Sequence, residues 1–427
     1  MRTPGLWRNR SFLLLFGAQV ISLVGSGATT VGLALFAYRM AGAREATVVL
    51  GNALMLRILA FLIVSQPAGV LADRVNRKAI LVASDVVRAL LLGLLPFATS
   101  VVHVYALVFA INAVTAFFTP TFEASIPSVV GETHLVKALA LSRLAVDIEA
   151  IAAPAAAALI VTVFGARWVF TFDAGTYVVS AVLVLLASLP TVLPRSEEAR
   201  GDSHRVGILA QITFGTRAIL AEPSLRQALI LSIAESTAGA CAIVGTVAYV
   251  RTTLGRGESS VAFGMAAVGV GSSITAIIVG RAAGRYEERA TDRVSFHGRR
   301  HSWSRRALLT GGGLLTIALA PAALTLPFAV LLGMWFLNGA GQALIAIPSS
   351  ALLADHTAED ERGRVYAAHF ALTHAFWLFA YPAVGHAVER WGAPIAFSLA
   401  AVGCGLVTVV AALGSPSKPH VHDRHPL

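Results

Sequence analysis

The sequence predicts an all-α membrane protein: twelve transmembrane helices in two groups of six, with both termini on the cytoplasmic side. Three observations carry that prediction. Of 427 residues, 56% are hydrophobic and only 13% charged, about half the charge of a soluble globular domain. Twelve stretches are mostly apolar over the roughly 20 residues that cross a hydrocarbon core. Lysine and arginine are distributed unevenly between alternate connections.

The stretches lie near 12–38, 48–72, 79–98, 102–125, 137–164, 168–190, 226–250, 259–282, 306–322, 325–353, 363–387 and 392–413. Most connections are short, so successive helices run antiparallel. The polar segment 191–225 divides the chain into an expected N-terminal bundle (1–190) and C-terminal bundle (226–413), followed by a histidine-containing tail (414–427). Within that linker, "GILAQITFGTRAIL" predicts a short helix lying on the membrane surface. The opening "MRTPGLWRNR" enters the first span with no cleavable-leader pattern.

With the N-terminus inside, 24 of the 33 basic residues fall on the cytoplasmic side and six outside. The remaining three, Arg57, Arg88 and Arg143, lie within spans. That bias fixes the orientation, so the net charge of +10 reflects topology rather than a nucleic-acid partner. The basic run "GRYEERATDRVSFHGRRHSWSRR" is expected to meet anionic lipid headgroups. Cys241 and Cys404 sit in apolar segments and supply neither a disulfide framework nor zinc spacing. No nucleotide-binding loop is present, so ATP is not expected to drive the protein directly. "HTAED" at 356–360 lacks a nucleophile or cofactor motif to make it catalytic. No enzyme activity and no cofactor are expected.

Between the second and third spans the chain reads "GVLADRVNRKAIL", with Gly69, Asp73, Arg74, Arg77 and Lys78 in order. This string resembles the G-x-L-a-D-r-x-G-r-k/r signature of the major facilitator superfamily. Asn76 stands where a second glycine is usual, and asparagine is the other residue that tolerates a left-handed backbone. "FDAGTYVVSA" in span six, "EPSLRQAL" entering span seven and "DERGRVYAA" entering span eleven look like the drug-efflux branch that includes macrolide and siderophore exporters. The resemblance implies two pseudo-symmetric six-helix bundles that rock around a midplane site. It also implies that spans 1, 4, 7 and 10 with 2, 5, 8 and 11 line the cavity, leaving 3, 6, 9 and 12 peripheral. The five signature residues would then act in gating.

Ionisable side chains at membrane depth are costly unless paired or facing water, so each is a functional candidate. On the cavity-lining spans these are Arg57, Arg143, Asp147, Glu149, Glu235, His369 and His374. At about 1.5 Å per residue, Asp147, Glu235 and His374 each lie roughly 13–17 Å deep, which suggests one shared site. Arg143 and Asp147 are four apart and share a helix face. Glu149 is two on and points nearly the opposite way. One acid then faces the cavity and the other a neighbouring helix, Arg57 being the suggested partner; Asp147 is favoured for the cavity. The Arg143–Asp147 pair could also be architectural, and the two histidines could be satisfied core groups. Asp85, Arg88 and Asp173 read as structural. Pro154, in "AAPAAAA", is what remains of the G-P-x-x-G-G string common in exporters of this superfamily.

Carboxylate with imidazole is the ligand set of a borderline divalent cation such as Ni²⁺ or Co²⁺, and equally of a proton relay. His369, His374 and Asp147 would be the metal ligands. The tail "PHVHDRHPL" could collect cations weakly, and spans five and eleven resemble those of nickel-resistance exporters. The expectation is a monomeric, proton-coupled exporter of a small toxic solute in the plasma membrane. A divalent metal leads as the solute, with a drug-like or secondary-metabolite molecule as the alternative. Aromatic Phe376, Trp377 and Tyr381 would suit the second.

Overall fold

The computed structural model describes residues 6–72, 76–130, 155–189, 208–288, 293–324, 326–357 and 362–414, with isolated helical positions at 138, 141, 145, 149, 152 and 153. Every regular element among the described residues is helical. The helices are numbered after the spans they match: α1 (Arg10–Gly42), α2 (Glu45–Val64), α3 (Arg77–Leu94), α4 (Val101–Val130), α5 (helical at 155–163), α6 (Arg167–Leu186), α7 (Pro223–Thr253), α8 (Glu258–Glu288), α9 (Arg293–Leu319), α10 (Phe328–His356), α11 (Arg362–Trp391) and α12 (Ala393–Leu413). Among the described residues, ten helices are long and apolar enough to cross a membrane. Most of the fifth span lies outside the described residues. α11 is long enough, but it carries His369, Thr373, His374 and His386 between its charged ends.

α1 and α2 continue one another across a kink at Gly42, whose φ of 74° is open to glycine. Asp73 and Arg74, which follow α2 in the chain, lie outside the described residues. Asn76 follows, and here the structure corrects the expectation. Its φ is −56°, not left-handed, and its side chain accepts from the backbone N–H groups of Lys78 (2.9 Å) and Ala79 (3.4 Å). Asparagine serves at this position as the N-cap of α3, satisfying donors that a helix start leaves open. Lys78 in turn donates to the carbonyl of Ala187 just past α6, at 2.9 Å.

The linker does form a helix, Ile208–Ala221, with Ile219 fully buried. Pro223 then starts α7, where its missing N–H costs nothing. Arg226, Gln227 and Arg305 reach the last carbonyls of α12, those of Gly414, Ala411 and Ala412. Three side chains thus satisfy a helix C-terminus that would otherwise be bare.

Inside the first six helices a buried ion pair joins Arg88 to Asp85 on α3, and Ser180 of α6 donates to the same aspartate at 2.7 Å. The Arg88 guanidinium is sandwiched between the rings of Phe118 (4.2 Å) and Tyr177 (4.1 Å). In the second half the core is aromatic. Trp335 donates to Thr246 at 2.6 Å, and Phe397 stacks on Tyr249 at 5.6 Å. These large rings lie beside two wide π-helical turns of α7, Cys241–Gly245 and Tyr249–Thr253. Large apolar side chains such as Leu90, Val182, Ile317 and Leu406, on α3, α6, α9 and α12, remain exposed on the outer surface, as lipid-facing groups do.

The two sets of helices meet where α2 crosses α11. Thr47 donates to the carbonyl of Gly385 at 3.1 Å, and Gly51 abuts the carbonyl of Tyr381. A side chain at either glycine would meet backbone, so the close approach requires them. Beyond that seam Arg39 of α1 pairs with Glu258 at the start of α8, at 2.8 and 3.0 Å.

Candidate functional site: a cavity between the two halves

Short side chains make room for a cavity of about 280 Å³ between the halves. From the first half it is lined by Gly27, Thr30 and Val31 of α1 and by Glu149 and Ala153 of the fifth span. The second half contributes Gly239, Ala242 and Ile243 of α7, four residues of α8 and Gln342 of α10. Ala242 and Ile243 belong to the first π-helical turn, a distortion that recurs at functional sites.

Glu149 is the carboxylate of this wall, half-buried, with α1 close by: a Cβ on Gly27 would lie 2.9 Å from its Oε1. Glycine at 27 leaves the acid its place. Arg57 on α2 is near enough to act electrostatically on Glu149 and on His374. It also lies 3.4 Å from the Thr30 hydroxyl, to which it donates. Helix phase gave the cavity to Asp147 and a neighbouring helix to Glu149. The structure puts Glu149 in the cavity wall and within electrostatic reach of Arg57, so one side chain meets both descriptions. Asp147, Arg143 and Pro154 lie outside the described residues.

On α11 the His374 ring stacks on Phe370 with centroids 3.7 Å apart, and its Nδ1 donates to the Phe370 carbonyl at 2.8 Å. A carbonyl can only accept, so Nε2 of His374 is the nitrogen with a free lone pair. His369 lies close enough to act on His374, and its buried Nε2 has no hydrogen-bond partner among the described residues. One turn further, Trp377 covers Gly239 and packs on Tyr381 at 5.2 Å. Glu235 stands one turn before Gly239 on α7. It is partly buried, makes no hydrogen bond or ion pair with the described residues, and does not line the cavity.

Of the three residues expected to share a level, Asp147 lies outside the described residues, and neither Glu235 nor His374 is among the residues that line the cavity. Arg57 links Glu149 of the cavity wall electrostatically to His374. Among the described residues no group of three His, Cys, Asp or Glu side chains could hold one metal ion. Sequence reasoning missed the cavity residues Thr30, Ser272 and Gln342, along with the small residues of α7 and α8. Their only signal was the density of glycine and alanine in "STAGACAIVG" and "AAVGVGSS".

The sequence profile described as Major Facilitator Superfamily matches residues 15–298 and 295–426. The chain belongs to the major facilitator superfamily. It is a multi-pass cell-membrane transporter, not an enzyme. An uncharacterized MFS-type transporter of Bacillus subtilis (strain 168), YfiS, is 24% identical over 96% of this chain and 93% of its own. Macrolide efflux protein A of Streptococcus pyogenes is 27% identical over 184 residues, which is 42% of this chain and 45% of that protein. The fold is shared with the nucleoside transporter NupG (TM-score 0.73, 12% identity, 95% and 98% of the two chains covered). It is also shared with a bacterial homolog of the lysosomal transporter Spinster (TM-score 0.71, 12% identity, 96% of each chain). As a major facilitator superfamily member, the chain carries a cavity between its helix sets with one acid, Glu149, on its first-half wall.

Proposed function

We propose that this transporter exports an amphiphilic organic solute of the macrolide or secondary-metabolite class in exchange for protons. The observation that carries the proposal is a carboxylate, Glu149, in a cavity wall whose other described residues are small, apolar or uncharged polar groups. Such a wall suits an apolar body, while the acid suits a cationic amine or a proton in turn. The likeness to macrolide efflux proteins over part of the chain supports the same class. In this reading both termini are cytoplasmic, the bundles 1–190 and 226–413 rock about the cavity, and one chain suffices. Gly69, Asp73, Arg74, Arg77 and Lys78 gate the cytoplasmic side, and Glu235 serves as a second acid along the proton's route.

A second reading keeps the divalent cation as passenger. It is favoured by His369 and His374, two imidazoles within electrostatic reach of each other, with Nε2 of His369 unpartnered among the described residues and Nε2 of His374 free to accept. Asp147 would complete the ligand set. The two readings part on growth. Expression in a sensitive host is expected to raise tolerance to macrolides and leave tolerance to Ni²⁺, Co²⁺ and Zn²⁺ unchanged. His374→Ala is expected to cost at most a few-fold in drug tolerance. Metal tolerance that appears on expression and disappears with His374→Ala would reverse the assignment.

A further inference from the structure

Asp173 lies on α6, away from the cavity, and the sequence reading treats it as structural. Its surroundings say more. The side chain is 1% exposed. Its Oδ2 accepts from the Thr29 hydroxyl of α1 at 2.6 Å. Its Oδ1 lies 3.1 Å from the hydroxyl of Thr176, one turn on along α6. Thr176 has a single hydroxyl proton, and its shorter bond, 2.7 Å, runs to the backbone carbonyl of Asp173. That leaves a Thr176 lone pair facing Oδ1, an arrangement satisfied when Oδ1 itself carries a proton and donates it.

The charges around the site agree. Two cations act on Asp173 from neighbouring helices, Arg88 of α3 and Arg57 of α2. Arg88 is bound to Asp85, and Arg57 acts on Glu149. Among the described residues, Tyr177 is the remaining titratable group within electrostatic reach of Asp173. From α1, Gly25 and Thr29 meet Asp173, and neither is titratable. Each cation therefore has another carboxylate, and Asp173 has none of its own among the described residues. Water cannot substitute, because Gly25 brings α1 so close that even a Cβ there would overlap Asp173 Oδ1 and Thr176 Oγ1. A buried carboxyl with hydroxyl partners alone is favoured as the neutral acid.

The turn of α1 that holds Asp173 is the turn that lines the cavity: Thr29 faces Asp173, while Gly27, Thr30 and Val31 face the cavity. We propose that Asp173 is a proton-binding residue of the transport cycle. Its carboxyl holds a proton while α1 and α6 are in contact and releases it when α1 moves. In that step the O–H bond of the acid breaks, and the proton passes to cavity water admitted at the Gly25 seam. The carboxylate left behind is solvated by that water. The return step is the reverse. Movement of the cavity wall and protonation of a helix outside it are then one event.

Infrared titration of the protein in proteoliposomes, from acid to alkaline, reads this without any solute. The wild type is expected to show the C=O stretch of a buried protonated carboxyl. Asp173→Asn should lack that band, and Thr29→Val, which keeps the acid but removes its donor, should shift its frequency. A band unaltered in both variants overturns the proposal. Transport supplies a second readout with erythromycin as the probe. Asp173→Asn is expected to lose about tenfold in flux driven by a pH gradient while tracer exchange, with erythromycin on both sides, persists. Equal loss of both modes in a folded variant, or loss of neither, overturns it as well. Absence of erythromycin flux in the wild type counts against the solute assignment alone, and the infrared result then decides.

Discussion

Glu149→Gln is expected to lower proton-driven export by about a hundredfold and to leave the fold intact. Glutamine matches glutamate in size and fits beside Gly27, where the space left for the side chain is set by α1. What it removes is the ability to exchange a proton, and the negative charge within electrostatic reach of Arg57. Were Glu149 merely the partner that keeps Arg57 in place, the amide would still hydrogen-bond and transport would persist at reduced affinity. The two roles separate in efflux assays at fixed solute concentration. The coupling role predicts a loss that raising the outward solute gradient cannot restore; the structural role predicts one that it can.

Arg88→Ala is expected to destabilise the first bundle by about 3–5 kcal/mol. The arginine is 3% exposed and Asp85 fully buried, so truncation leaves a carboxylate among apolar helices with Ser180 as its remaining partner. Phe118 and Tyr177 lose the cation between their rings at the same time. Truncating both members, Asp85→Asn with Arg88→Met, should recover much of the loss, because no unpaired charge remains. Thermal unfolding in detergent measures both effects. A single variant as stable as the wild type would mean that the pair contributes nothing to packing α3 against α6.

The helical class, the apolar spans and the membrane location were legible because they depend on composition and length, which local sequence carries directly. The site was legible only in part. Charged residues at depth announced themselves through their cost, so Arg57, Glu149 and His374 were all named in advance. Their grouping was not. Helix phase separates Asp147 from Glu149 but does not say which face of the span meets α1, since that is settled by Gly27 and Ala153 packing together. The rest of the described cavity wall is small or aliphatic residues and methionine, with Thr30, Ser272 and Gln342 as its uncharged polar groups, residue types that carry little chemical signal until their helices are placed. Asn76 shows the limit of residue tolerance as an argument. It can adopt a left-handed backbone, yet capping two N–H groups of α3 was the better use of its side chain. Asp173 fell on a span assigned to the periphery, and only the count of hydroxyl protons around it revealed a further role.

Cysteine protection tests most directly whether the passenger occupies the cavity beside Glu149. In a background carrying Cys241→Ser and Cys404→Ser, Ser272→Cys places a thiol on the α8 wall of that cavity. Saturating exported solute is expected to slow maleimide labelling by about tenfold or more. Labelling at the same rate with and without a solute that the variant still transports would contradict the assignment.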